Sequence, residues 1–187
     1  MLPEISLTIL DIAQNSITAK AADIFISVLR DTINHTLTFT IRDNGTGMDE
    51  EQLKAAVDPF YTTRTTRKIG LGIPFLQQSA ECTGGSFSIA SEKGKGTSMQ
   101  AVYCTDSIDC MPLGDIAETI YSLVVFNEGI HFVYRYRVNG HGFDLDTDEI
   151  RKIIGDTSFA QKEIAEFIHS YLKENTDETD AYGEQQI

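Results

Sequence analysis

Arg42-Asp43-Asn44-Gly45-Thr46-Gly47-Met48 is the stretch on which the fold of this chain turns. It closes residues 36–42, where Leu37, Phe39 and Ile41 alternate with Thr38, Thr40 and Arg42, the period of a strand with one buried face. An aspartate therefore ends a strand, and the glycines behind it let the backbone turn tightly. Upstream, Ile24, Ile26 and Val28 alternate in the same way. Asp31-Thr32-Ile33-Asn34 reads as the turn between the two runs, which predicts a hairpin. Ahead of the hairpin, residues 6–19 place Leu10, Ala13 and Ile17 at helical spacing, with Ser6 as N-cap. Downstream, residues 49–57 read as a short helix with an acidic first turn, stopped by Pro59. Residues 74–81 read as another helix, with a proline at its start and Gly84-Gly85 past its end. Two strands follow at 87–90 and 97–103, joined by Lys93-Gly94-Lys95-Gly96.

The charge balance divides the chain. Its 187 residues carry 28 acids and 15 bases, a net charge of −13. Residues 1–104 hold 11 acids and 9 bases, whereas residues 105–187 hold 17 and 6. This shift predicts a boundary at Thr105-Asp106-Ser107-Ile108-Asp109, with a first domain over 1–104 and an acidic α+β domain over 105–174. The second would comprise a helix at 113–125, a hairpin turning at Asn139-Gly140 and closing helices at 148–154 and 159–173. The polar, acidic segment 175–187 is expected to be a disordered tail. On this reading, deleting residues 106–187 leaves a folded first domain. The acidity weighs against nucleic acid and anionic lipid as partners. No apolar run approaches the roughly 18 to 20 residues that span a bilayer, so no membrane insertion is expected. Cys82, Cys104 and Cys110 are odd in number and contain no C-x-x-C pair. Reduced thiols in a cytoplasmic protein are the expectation.

Two segments carry chemistry. In Asp11-Ile12-Ala13-Gln14-Asn15-Ser16, Asp11 and Asn15 stand four apart and share a helix face. A carboxamide oxygen there can hold a hydrated Mg²⁺ while the carboxylate orients a water. In the Asp43 stretch, a carboxylate can accept a hydrogen bond from an exocyclic amine such as that of adenine. Gly45 and Gly47 let a base lie against the backbone, and Met48 can cover its face. Each segment alone is also what a strand-to-helix turn or a solvated helix face would show. Their order, and the hairpin between them, join them into one pattern.

That pattern resembles the GHKL ATPases: DNA gyrase, the large heat-shock chaperones, MutL proteins and histidine kinases. The helix around Asn15-Ser16-Ile17 resembles the N-box and is most like MutL, and Asp43-Asn44-Gly45-Thr46-Gly47-Met48 resembles the G1 box. Asp58-Pro59-Phe60-Tyr61-Thr62-Thr63-Arg64 is similar to the F-box and ATP lid of histidine kinases, and Gly70-Leu71-Gly72-Ile73 to the G2 box. Gly84-Gly85 through Gly96-Thr97 resembles the closing hairpin. The resemblance implies an α+β fold. A Bergerat-type α/β sandwich, with a mixed, mostly antiparallel sheet and helices on one face, would be followed by a small α+β appendage. It implies ATP and Mg²⁺ as cofactors. Asn15 would ligate the metal, Asp43 would bind the adenine amine with Gly47 and Met48 near the base, and Thr97 would lie beside Asp43. Behind Phe60 of the F-box, Thr62, Thr63, Arg64, Thr65, Thr66, Arg67 and Lys68 would form a short lid over the triphosphate, and Gly70 and Gly72, with Leu71 between them, would present backbone N–H groups to phosphate at a helix start.

Two departures stand out against the family. Its hydrolytic members carry a glutamate as general base where this chain has Asp11, one methylene shorter, which points to slow hydrolysis. Lys68 stands where the G-x-G-x-G of the G2 box would begin. None of the four histidines is followed by an acid, so the acceptor of a histidine kinase is not expected within this chain. Pro112-Leu113-Gly114-Asp115-Ile116-Ala117-Glu118-Thr119 and Phe132-Val133-Tyr134-Arg135-Tyr136-Arg137-Val138-Asn139-Gly140 resemble stand-alone bacterial ATP-binding proteins. Genes of that group tend to lie beside iron-only hydrogenase subunits, which implies an unidentified partner protein among hydrogenase-like redox subunits. Two functions follow: a protein kinase-like phosphotransferase or slow ATPase acting on a partner, or an ATP-gated switch that binds a partner without turnover.

Overall fold

The computed structural model describes residues 4–58 and 72–185. Among these, one six-stranded mixed sheet runs in the order β3-β4-β2-β1-β5-β6. The strands are β1 (Asp23–Asp31), β2 (Thr36–Asp43), β3 (Ser86–Glu92), β4 (Gly96–Cys104), β5 (His131–Val138) and β6 (His141–Asp146). The helices are α1 (Ile5–Thr18), α2 (Glu50–Val57), α3 (Gly72–Cys82), α4 (Ile116–Phe126), α5 (Thr147–Ile154) and α6 (Lys162–Glu184). The alternation read from the sequence is the alternation of burial. Ile24, Ile26 and Val28, then Leu37, Phe39 and Ile41, then Met99, Ala101 and Tyr103 all lie on the helix-covered face. Arg42, Gln100 and Arg135 stand exposed. All pairings are antiparallel except that of β1 with β5. This is the α+β sandwich expected.

The apolar stripe of α1 differs from the one read off the sequence. Ile5, Ile9, Ile12 and Ala13 are fully buried, while Leu10 and Ile17 only flank the core. Nor is Ser6 the N-cap: the helix starts at Ile5 behind Glu4, with no side-chain cap. Its first amides are satisfied by the C-terminal half instead. Ile5 N donates to Pro112 O at 3.0 Å and Ser6 N to Leu113 O at 2.8 Å. Gly114 allows this approach, because a β-carbon there would collide with the Glu4 carboxylate.

The charge step at residue 105 does not mark a break in the core. Strand β5 lies in parallel against β1, from Asp23 opposite His131 to Arg30 opposite Val138, and β6 completes the same sheet. Buried Phe132, Tyr134 and Tyr136 join one continuous cluster with Ile24 and Phe39. The acidic residues that suggested an appendage decorate its surface. The tail expected to be disordered is the second half of α6. Its buried stripe continues from Ile168 and Leu172 through Thr176, Thr179 and Gly183, at helical spacing but in small residues without an apolar signature. Gly183 faces Val138 so closely that a β-carbon would clash. Asp180 Oδ1 accepts from Arg30 Nη1 and from Tyr136 Oη, both at 2.6 Å, which anchors the end of α6 on the sheet.

Candidate functional site

The Asp43 turn is tied on every side by backbone and short polar side chains. Asp43 is the last residue of β2, and its carboxylate folds the chain behind it into a turn. Oδ1 accepts from Gly45 N at 2.9 Å, an Asx turn, and Oδ2 accepts from Ser16 Oγ at 2.7 Å. Ser16 lies on the buried face of α1, 2% exposed. Two of the carboxylate's acceptor sites are filled and the remainder can accept from a ligand. Asn44 anchors the turn to β1: its Oδ1 accepts from Ala22 N at 2.8 Å and Asp23 N at 2.9 Å, and its Nδ2 donates to Asp23 Oδ2. Thr46 N donates to Ala19 O at 2.9 Å, and Gly94 N to Thr46 O at 2.7 Å, so the turn is held between the end of α1 and the β3–β4 connection.

Two glycines are required by this closeness. Gly47 has φ +60° and a β-carbon on it would strike Glu92 O. Gly96 has φ +100° and a β-carbon on it would strike Asp43 O. Thr97 sits opposite Asp43 across the β2–β4 pair. Ser91 completes the wall: its Oγ accepts from Met48 N at 2.8 Å, donates to Gly96 O at 3.0 Å and lies 2.9 Å from Thr97 Oγ1.

The other end of the site lies along α1. Asp11 and Asn15 are exposed, and Asp11 points at the start of α3, where a β-carbon on Gly72 would collide with its carboxylate. Asp11, Asn15 and Ser16 thus lead from the start of α3 to Asp43, about 7 Å along the helix axis at about 1.5 Å per residue. A cavity of about 530 Å³ between α1 and α3 opens beside Asp11, lined by Thr8, Gly72, Phe75, Ser79 and Met111 among others. Among the described residues, no cluster of three or more His, Cys, Asp or Glu could hold a metal ion. One exposed carboxamide with a carboxylate a turn away suits Mg²⁺, which keeps most of its shell in water and phosphate oxygens.

The structure places Asp43, Gly45, Gly47, Met48 and Thr97 around one turn and Asp11 beside Gly72, while Asn15 stands exposed on α1 next to Ser16, the partner of Asp43. Phe60, Thr62, Thr63, Arg64, Lys68, Gly70 and Leu71 lie outside the described residues. The individual contacts of Ser16, Asn44 and Ser91 were not read from the sequence. Ser16 carried a signal, a hydroxyl at a helix position three and seven residues beyond buried Ala13 and Ile9, where a polar group needs a partner.

Residues 3–106 match the model of the histidine kinase-, DNA gyrase B-, and HSP90-like ATPases, and the chain belongs to that family. Sporulation kinase C of Bacillus subtilis is 35% identical over 95 residues, 50% of this chain and 22% of that protein. The C4-dicarboxylate transport sensor protein DctB of Pseudomonas aeruginosa is 34% identical over 80 residues, 42% of this chain and 13% of that protein. The chain thus spans less than a quarter of the length of either relative. In fold it is similar to the Aquifex aeolicus MutL ATPase domain complexed with ADP, with TM-score 0.50, 12% identity and coverage of 82% of this chain and 69% of that one. The N-terminal domain of a DNA repair protein matches at TM-score 0.52 and 13% identity, over 82% of this chain and 57% of that one. Both structural likenesses extend beyond the 3–106 segment, in keeping with a sheet that incorporates β5 and β6. No helix among the described residues is long and apolar enough to cross a membrane.

Proposed function

We propose that the chain binds Mg-ATP between α1 and the Asp43 turn and uses it on a partner protein, as a kinase-like phosphotransferase or slow ATPase. The observation that carries this is the Asp43 carboxylate, oriented by Ser16 Oγ and Gly45 N and flanked by Thr97, with acceptor capacity left over. That is the complement of a purine amine. A structural relative complexed with ADP and sequence relatives that are kinases support it. Asp43 accepts from the base while Gly45 and Gly47 give it a floor without side chains. Asn15 offers its amide oxygen to Mg²⁺, which neutralises phosphate charge. The family resemblance assigns Gly70, Gly72, Arg64 and Lys68 to the phosphates. Asp11 accepts the proton of the attacking water or acceptor hydroxyl. The cavity beside Asp11 gives a partner's side chain a route to that end of α1.

Calorimetric titration with ATP and Mg²⁺ tests the reading. Asp43→Asn turns an amide donor toward the amine and should weaken binding at least about tenfold, since hydrogen bonds to charged groups are worth about 1.5–3 kcal/mol. Unchanged affinity would remove the adenine assignment. Asn15→Ala should abolish the Mg²⁺ dependence. A second reading, an ATP-gated binding switch, is favoured by the short reach of Asp11. Labelled ATP with a hydrogenase-like partner separates the two: label on protein supports phosphotransfer, and ATP-dependent co-purification without turnover supports the switch.

A further inference from the structure

A line of polar contacts leads from the Asp43 turn into the C-terminal half of the fold. Asn44 is held by the amides of Ala22 and Asp23 and by the Asp23 carboxylate. The other oxygen of that carboxylate, Oδ1, lies 2.9 Å from His131 Nδ1. His131 Nε2 lies 3.0 Å from Asp146 Oδ1 and 3.9 Å from Asp148 Oδ2. The ring thus stands between a carboxylate of β1 and those of β6 and α5. Its own backbone is fixed, because His131 N donates to Ala22 O at 2.9 Å. Glu128 and Arg151, 4.0 Å apart, line the same recess as His131 and Asp148.

We propose that His131 is a positioning residue for the nucleotide site: bridging Asp23 and Asp146, it fixes the carboxylate that holds Asn44, and through Asn44 the placement of Asp43. The consequence for nucleotide affinity rests on the ATP-binding reading above, whereas the linkage itself does not. Both ring nitrogens face carboxylate oxygens, so both contacts are hydrogen bonds only when both nitrogens carry protons. A neutral ring turns one lone pair toward a carboxylate. Asp23, its side chain 60% exposed, then has water as an alternative to Asn44. Burial disfavours the ring's charge, but the bonds to Asp23 and Asp146 and the nearby Asp148 outweigh it and hold the pKa above the ordinary 6.5. The bridge is complete below that raised value and opens as pH rises through it.

The test measures ADP affinity of the full chain by calorimetry from about pH 6 to about pH 9, across the range of histidine titration. The wild type should weaken about two- to fivefold with rising pH, the scale of a partly exposed charge pair. His131→Gln should be weak and lack this component, and the difference between the two proteins cancels the nucleotide's own titration. A His131→Gln profile that parallels the wild type overturns the proposal. In nucleotide-free protein, the Asn44 side-chain amide and the Gly45 amide should shift in NMR spectra with the His131 titration. If ADP fails to bind at any pH, the ATP reading falls while these amides still decide the linkage. If they ignore the titration, the linkage falls alone. Should His131→Gln not fold, Asp146→Asn takes its place and should move the amide midpoints to lower pH; unmoved midpoints overturn the proposal.

Discussion

Asp43 has two donors among the described side chains and amides of its neighbourhood, Ser16 Oγ and Gly45 N, and each limits what can change around it. Ser16→Ala removes the 2.7 Å bond without altering the shape of a buried site. Nucleotide affinity should fall about three- to tenfold while unfolding free energy drops by about 1 kcal/mol, read by calorimetry and urea titration. Gly96→Ala should act chiefly on stability. Its φ of +100° and the proximity of Asp43 O make any side chain strained, so the cost is about 2 kcal/mol or more in stability. A melting temperature within a degree or so of wild type would contradict this. Residues with special backbone or charge demands, such as Asp43, Gly47 and Gly96, leave marks in a sequence. Ser91 and Asn44 do not: they are ordinary polar residues, and their partners, Met48 and Asp23, are 43 and 21 positions away.

At the scale of elements, the strands were legible because half their residues face the core and half do not. Helix α6 was legible only to its midpoint, since its second half buries threonine and glycine and is tied to the sheet by the Asp180 carboxylate and by the Tyr182 ring against His141. Asp180→Ala should test that dependence. It strips the buried Tyr136 hydroxyl of its acceptor, and leaving such a donor unpaired costs about 1–3 kcal/mol, while Arg30 Nη1 keeps Tyr136 Oη at 3.2 Å. Because Arg30 and Asp180 are each about one-third exposed, the loss should lie near the lower end of that range. Helicity measured by circular dichroism should fall with the last turns of α6. Unchanged helicity and stability would mean that Thr176, Thr179 and Gly183 suffice to seat the helix.

At the scale of the whole molecule, the charge step coincides with the end of the family match at residue 106, yet the sheet runs across it, because surface composition need not follow sheet connectivity. Truncation after residue 105 would strip β1 of its parallel neighbour and α1 of the carbonyls that cap it, so the fragment should not fold cooperatively. A sharp urea transition in that fragment would restore two independent units. Stability should also pass through a maximum in mildly acidic solution. The contribution of His131 is complete below its unfolded pKa of about 6.5 and is lost as pH rises through the higher folded value. Burial pushes the Asp144 carboxyl up, but Arg135 and Arg137 outweigh it and hold its pKa low. Its contribution is complete above about pH 3.9 and lost as pH falls through the lower folded value. Urea midpoints across the pH range check both limbs. The capping of Ile5 and Ser6 by Pro112 and Leu113 also bears on biosynthesis. A ribosome that has delivered the chain only as far as residue 106 has made β1 to β4, the strands of the ATPase motif, yet neither of the carbonyls that seat α1. The nascent chain must wait, with its sheet margin bare, until the second half clears the exit tunnel.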